Sequence, residues 1–245
     1  MATGERRSYS ETLERLTMAQ KPGAGVPAYL RWVNRGLGRR AAALAYVAGW
    51  SPNQVTAASA LLSVGGMLVL ASSEASVVSA IAATALLLAG YALDSADGQL
   101  ARLKGGGSVA GEWLDHVIDA FRLPLFHLAA AVYLLRETGS LGLAAIGVAF
   151  SLLASAWFFA QTLAEKLSPD AADVPTDAPA WVSFAKLPYD VGVLYLIVLT
   201  SAWPAVFLGA YVVLFGVTAA VAALSMTRKY RRLARSGAEL RAHRE

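Results

Sequence analysis

Apolar runs alternate with short polar breaks along most of the chain. Runs over about 54–70, 77–93, 111–135, 141–163 and 204–226 approach or exceed the ~20 residues that carry an α-helix across a hydrocarbon core ~30 Å thick. A shorter run, 188–202, brings the expected number of spans to six. The second span is expected to continue as helix to Leu103, and Pro124 to kink the third by removing a backbone donor. Gly105, Gly106 and Gly107 do not sustain a helix and mark a tight turn between spans two and three. That turn predicts the two helices to be antiparallel neighbours whose polar ends meet at one membrane depth.

Outside the spans the pattern changes. Residues 1–25 are polar and expected to be poorly ordered, apart from a helical turn near 10–18. Over 26–49, Tyr29, Leu30, Trp32, Val33 and Leu37 alternate with Arg31, Arg35, Arg39 and Arg40, which suits an amphipathic helix lying in the membrane interface with arginines at anionic headgroups. A proline- and acid-rich stretch at 168–181 reads as a loop, and 227–245 as a basic, helix-forming tail. The expected architecture is all-α: a polytopic membrane protein with six transmembrane helices and an N-terminal interfacial helix. It divides into an arm at 1–49, a membrane domain at 50–227 and a tail at 228–245.

Composition agrees. Of 245 residues 56% are hydrophobic, and the mean hydropathy of +0.49 is unusual for a soluble domain. With no cysteine there is neither a disulfide framework nor a thiolate zinc site, and the charged N-terminus carries no signal-peptide core. The net charge of +4 matters less than its distribution. Lysine and arginine gather in the N-terminal arm, at Arg102 and Lys104, at Lys166 and in the tail, whereas only Arg136 sits near a span end on the other side. Six crossings place the basic segments on one face, predicted to be cytoplasmic.

Against this background, four aspartates stand out: Asp94, Asp97, Asp115 and Asp119. An ionisable group inside a span costs about 2.5–3.5 kcal/mol, so four unpaired acids forfeit on the order of 10 kcal/mol. Spacings of three and four put each pair on one helix face. Carboxylate oxygens converging from two helices suit a hard divalent cation.

The surrounding residues extend the pattern to D-x2-D-G-x2-A-R-x8-G-x3-D-x3-D, carried by Asp94, Asp97, Gly98, Ala101, Arg102, Gly111, Asp115 and Asp119. In this the chain resembles the CDP-alcohol phosphotransferases (CDP-alcohol phosphatidyltransferases, class I), matching the signature at all eight fixed positions. The resemblance implies transfer of a substituted phosphoryl group from a CDP-linked alcohol to an alcohol hydroxyl, with CMP released. It implies Mg2+, with Mn2+ suited to the same all-oxygen site, and two ions: Asp94, Asp97 and Asp115 as ligands, with Asp119 on the second ion and also the general base. Gly98 then lets the nucleotide approach the helix backbone. Arg102, a turn further on, pairs with the diphosphate. Ala101 and Gly111 keep facing helices close. Ser51-Pro52-Asn53 is a helix-start signal in its own right; the resemblance places Ser51, Pro52, Asn53 and Thr56 near the cytidine. Ser108 reads as a helix cap, and the resemblance adds contact with the donor.

Glu112 and His116 flank the acids and read either as supports for them or, for Glu112, as a helix-dipole partner. His127, mid-span, reads as an interhelical hydrogen bond. Trp50, Trp181 and Trp203 read as interface anchors. The resemblance further implies a lipid-bilayer setting and a homodimer, and no nucleic-acid partner is expected. The expected donor is CDP-diacylglycerol. The alternative is a CDP-headgroup donor with diacylglycerol as acceptor, which the Gly111-Glu112…Asp115-His116 wording resembles. An intramembrane prenyltransferase lacks the glycine–alanine–arginine insert between its acids. A proton-coupled transporter predicts broken helices in two related halves, which the sequence does not show.

Overall fold

A computed structural model describes residues 8–20, 23–167 and 178–242, with side chains to Arg235. Among them there is no strand. The helices are α1 (Tyr9–Met18), α2 (Arg35–Val47, entered through a wider helical turn at Tyr29–Asn34), α3 (Pro52–Ser72), α4 (Val77–Leu103), α5 (Val109–Thr138), α6 (Leu141–Leu167), α7 (Ala180–Ala185), α8 (Val191–Leu196) and α9 (Pro204–Ala242). The expected loop at 168–181 lies mostly outside the described residues, as do parts of the arm expected to be disordered.

Local chemistry explains the helix boundaries. Ser51 caps α3 through the backbone N–H of Gln54, and the Gln54 side chain accepts from the Ser51 N–H; Pro52 follows at the first helical position. Ser76 and Ser79 make the same reciprocal pair at α4. Ser108 caps α5 through Gly111 N–H at 3.0 Å. At the far end of α5, Gly139 takes φ +65° and stops the helix. α5 runs through Pro124 without a break, and Ser151 of α6 donates to the Pro124 carbonyl at 3.1 Å.

Among the described residues, five helices are long and apolar enough to cross a membrane: Pro52–Ser72, Val77–Leu103, Val109–Thr138, Leu141–Leu167 and Pro204–Arg235. The expected fifth span is a composite. Leu187–Tyr189 forms a 3-10 turn, Asp190 caps α8, and Ile197–Ala202 is again 3-10. The expected sixth span and the basic tail form one helix of 39 residues.

Small residues set the packing. A Cβ on Gly66 would press on Leu87 and the Ala83 carbonyl, and one on Gly90 on Ser63 and the Ser59 carbonyl, so α3 and α4 meet backbone to backbone. Gly147 does the same for α6 against Ala131 of α5, and Gly38 for α2 against Ser95 and Ala92 of α4. An aromatic core of Phe126, Tyr133, Phe150, Tyr195, Phe207 and Tyr211 joins α5, α6, α8 and α9.

α3 packs against both α4 and α5. The glycine turn, with Gly105 and Gly106 at positive φ, reverses the chain. α4 and α5 meet through their polar side chains: Asp94 pairs with Arg122, and the oxygens of Asp94, Asp97 and Asp115 come together in the cleft between them.

Candidate metal centre

The turn between α4 and α5 lies at the same end as the start of α3, where Lys104 Nζ donates to the Trp50 carbonyl at 2.5 Å. Lys166, at the end of α6, reaches Glu112 at 3.4 Å. Glu112 thus meets α6 at the surface. Gly111 lies against α3: a Cβ there would stand 3.3 Å from Asn53 Oδ1 and 3.1 Å from Ser108 Oγ. Its close approach lets α3 and α5 come together. Ala101 packs against Gly107 in the turn.

Asp94, Asp97 and Asp115 each offer one carboxylate oxygen, and the three oxygens lie within 4.8 Å of one another. An all-oxygen donor set of three carboxylates matches the preference of Mg2+ or Mn2+, so the residues present fit such an ion. Asp97 is the most tightly held. It is 5% exposed; its Oδ2 accepts from Thr56 Oγ1 at 2.6 Å, and its Oδ1 from the Gly98 N–H at 2.5 Å. Thr56 is therefore linked to the acids. Ser51, Pro52 and Ser108 are seen as helix-start residues, and Asn53 as a neighbour of Gly111.

Asp119 is not in this cluster. Its Oδ1 lies 3.1 Å from Arg122 Nη1, and a third of its side chain, 34%, stays exposed. Arg122 Nη1 is also 2.5 Å from Asp94 Oδ1, and its Nη2 donates to Ser59 Oγ of α3 at 3.0 Å. The Arg122 side chain is only 5% exposed. Sequence reading missed this residue. A cation inside an apolar span, on the helix that carries two of the acids, was the available signal.

Gly98 and Arg102 share one side of α4. A Cβ on Gly98 would meet only Arg102 Nη1, at 3.5 Å, so the fold itself does not demand glycine there. Arg102 Nε is buried without a hydrogen-bond partner. Arg35 of α2 lies in the same region: burial, and next the nearby Arg102 guanidinium, pull its pKa below the usual value. The unpartnered Arg102 donor is suited to an anion.

His127 is the interhelical link expected. Its Nδ1 pairs with Tyr211 of α9 at 2.8 Å, and its ring stacks on Phe150. Asp190 caps α8 through Gly192 N–H and also accepts from Leu30 N–H, tying the N-terminal arm to the bundle.

A sequence model of the CDP-alcohol phosphatidyltransferases matches residues 50–227. The chain belongs to this family. It is an integral membrane phosphotransferase of phospholipid synthesis, and its acid cluster is one that could hold a metal. No curated protein matches the chain.

Proposed function

We propose that the protein transfers a phosphatidyl group from CDP-diacylglycerol to an alcohol, releasing CMP. The observation that carries the reading is the meeting of Asp94, Asp97 and Asp115 oxygens within 4.8 Å in a chain of this family. Those three acids would hold a divalent ion, Mg2+ by default and Mn2+ as a substitute. Bound there, the ion neutralises charge on a diphosphate and acidifies a hydroxyl beside it. Thr56 and the Gly98 N–H fix the Asp97 carboxylate for this role. The open backbone at Gly98 admits the nucleotide, and Arg102, with its unpartnered Nε, pairs with the diphosphate. Ser51, Pro52, Asn53 and Ser108 frame the mouth of the cleft on the cytidine side.

In the reaction the acceptor oxygen bonds to the phosphorus attached to the lipid, the bond from that phosphorus to the CMP oxygen breaks, and the acceptor proton passes to Asp119. The partial exposure of Asp119 supports its role as base. Two ions, with Asp119 on the second, remain the expectation from resemblance.

A lipid substrate has a place in the bundle. A cavity of about 240 Å3, lined by Leu123, His127, Phe150, Trp157, Leu194 and other residues, opens one helical turn beyond Asp119. Its walls are almost wholly apolar, which suits hydrocarbon. Both a CDP-diacylglycerol donor and a diacylglycerol acceptor carry such chains, so the same assay separates them. Purified protein with Mg2+ is expected to release CMP from CDP-diacylglycerol plus water-soluble alcohols, and Asp97→Asn to lose this activity while remaining monodisperse. CMP released only from a CDP-headgroup with diacylglycerol would select the alternative donor, and turnover of no CDP compound would end the proposal.

The membrane arrangement belongs to the same reading. The composite 187–202 segment is the sixth crossing, α2 lies in the interface, and both termini and the acid cluster face the cytoplasm. An exposed apolar stripe on α2, formed by Leu37, Leu44 and Val47 and continued by Val33 in the turn before it, supports its interfacial position, while Gly38, Ala42 and Ala43 are buried. Arm, membrane domain and tail divide at 1–49, 50–227 and 228–245, and two copies pair through the small-residue faces of the later spans.

A further inference from the structure

Trp157 of α6 lines the apolar cavity, together with Leu123 and His127 of α5 and Tyr189. Its Nε1 is buried and has no hydrogen-bond partner among the described residues. A buried indole N–H normally finds an acceptor, and leaving that bond unmade in an apolar wall is unfavourable. The indole is held in place: its ring stands edge to face with that of Tyr189, centroids 5.8 Å apart.

The pairing of α5 with α6 sets the depth of this donor. Gly147 lies on Ala131, Ser151 Oγ donates to the Pro124 carbonyl, and Lys166 reaches Glu112. Carried along at that antiparallel register, Trp157 comes level with Asp119. Leu123, one turn along the same face of α5 from Asp119, shares the cavity with Trp157. A diacylglyceryl group matches this pattern. Its ester carbonyls lie a few bonds from the glycerol oxygen that carries the phosphorus of a donor, or that is the free hydroxyl of an acceptor. A lipid with that oxygen at the acids brings an ester carbonyl to the depth of Trp157 and a hydrocarbon chain to the cavity. The carbonyl only accepts and the indole only donates, so the two are complementary.

We propose that Trp157 is a specificity-determining residue for the lipid: its indole N–H donates to an ester carbonyl of a diacylglyceryl group whose chain lies in the cavity. The inference rests on the transferase reading and deepens it, since it names the part of the lipid that is recognised. It entails selection of acyl esters over ethers of the same length, because an ether carries no carbonyl to accept the N–H.

The test reads binding apart from turnover. Full-length protein in detergent micelles is titrated with CDP-dioctanoylglycerol and its dioctyl ether, and separately with dioctanoylglycerol and its dioctyl ether. The first pair probes a donor, the second an acceptor. Wild type is expected to bind the ester about 10-fold more tightly than the ether in one of the two pairs, the gain from one hydrogen bond in an apolar wall. Trp157→Phe is expected to bind ester and ether alike, at the affinity that wild type shows for the ether. Should Trp157→Phe fail to purify as a monodisperse species, benzothienylalanine at position 157 replaces it, keeping the shape of the indole without its N–H. Equal wild-type affinity for ester and ether in both pairs, or a preference that survives loss of the N–H, would overturn the inference. The transferase reading fails on a different result, the absence of CMP release from any CDP compound.

Discussion

At the scale of single residues, Thr56 shows how the site is held from outside the acid cluster. Its hydroxyl, on α3, donates to Asp97 Oδ2 at 2.6 Å and also approaches the Pro52 carbonyl at 3.1 Å. Thr56→Val keeps the shape and removes the donor, so Asp97 is free to rotate about its side-chain bonds. Loss of such an outer partner typically costs about 10–100-fold in metal affinity or activity. Mn2+ titration of Thr56→Val is therefore expected to show affinity weakened by about that factor; an unchanged affinity would mean that the Gly98 N–H alone fixes Asp97. The four acids were legible in the sequence because charge inside an apolar run is costly, and that cost demands a partner. That Arg122 would contact both Asp94 and Asp119 was not. A spacing of three between Asp119 and Arg122 is also that of an ordinary surface ion pair on a helix, and nothing in a linear pattern says that Ser59 of another helix closes over the guanidinium. Ser51 and Ser108, by contrast, were legible as caps from their neighbours alone, since capping is local.

At the scale of helices, the glycines explain how a bundle of spans with little hydrophobic drive between them stays assembled. Gly147 is remote from the acids and faces the backbone of Ala131, with distances of 2.7–2.9 Å to where its Cβ would stand. Backbone does not yield as a flexible side chain does. Gly147→Ala should therefore force α5 and α6 apart and destabilise the protein by about 1–3 kcal/mol, the usual cost of overpacking. The midpoint of unfolding in micelles reports this, while Mn2+ affinity is expected to stay at the wild-type value. Tyr211→Phe probes the same layer by chemistry instead of size. It leaves His127 Nδ1 buried without its partner on α9, at an expected cost of about 1–3 kcal/mol. If stability were unchanged, a water would have to replace the phenol. Helix extents were largely legible: the expected starts at 54, 77, 111, 141 and 204 fall within two residues of those observed. Helix partners were less so. The glycine turn told the direction of α5 but not that α3 would lie against both α4 and α5, because turn chemistry acts over a few residues and packing is decided by small residues far away in sequence, such as Gly66, Gly90 and Gly111.

At the scale of the whole molecule, everything proposed about substrate access depends on how many times the chain crosses the bilayer. Five helices pass on length, and the sixth candidate, Val191–Ala202, is shorter. Its geometry compensates. A 3-10 helix rises ~2.0 Å per residue against ~1.5 Å for an α-helix. With 3-10 turns at Leu187–Tyr189 and Ile197–Ala202, the segment from 187 to 202 extends roughly 28 Å on those rises, close to the ~30 Å hydrocarbon thickness. The buried Asp190 does not count against a crossing, since both its oxygens accept backbone N–H groups at the start of α8. Parity then decides. With six crossings the α1 end and the α9 end lie on one face; with five they lie on opposite faces. The natural absence of cysteine makes this measurable without a background. Single cysteines at Ser10, Gly106 and Arg235 are expected to react with a membrane-impermeant maleimide only after the cells are opened, and those at Ser73, Ser140 and Trp203 in intact cells. Labelling of Arg235→Cys from outside, with Gly106→Cys still protected, would mean that the 187–202 segment enters the bilayer without crossing it. The basic tail would then lie on the face opposite the acids, and Lys166 and the tail could no longer serve one cytoplasmic surface. The reverse result also fixes the side of the chemistry. The cleft between α4 and α5 would then open on the side where cytidine nucleotides are made.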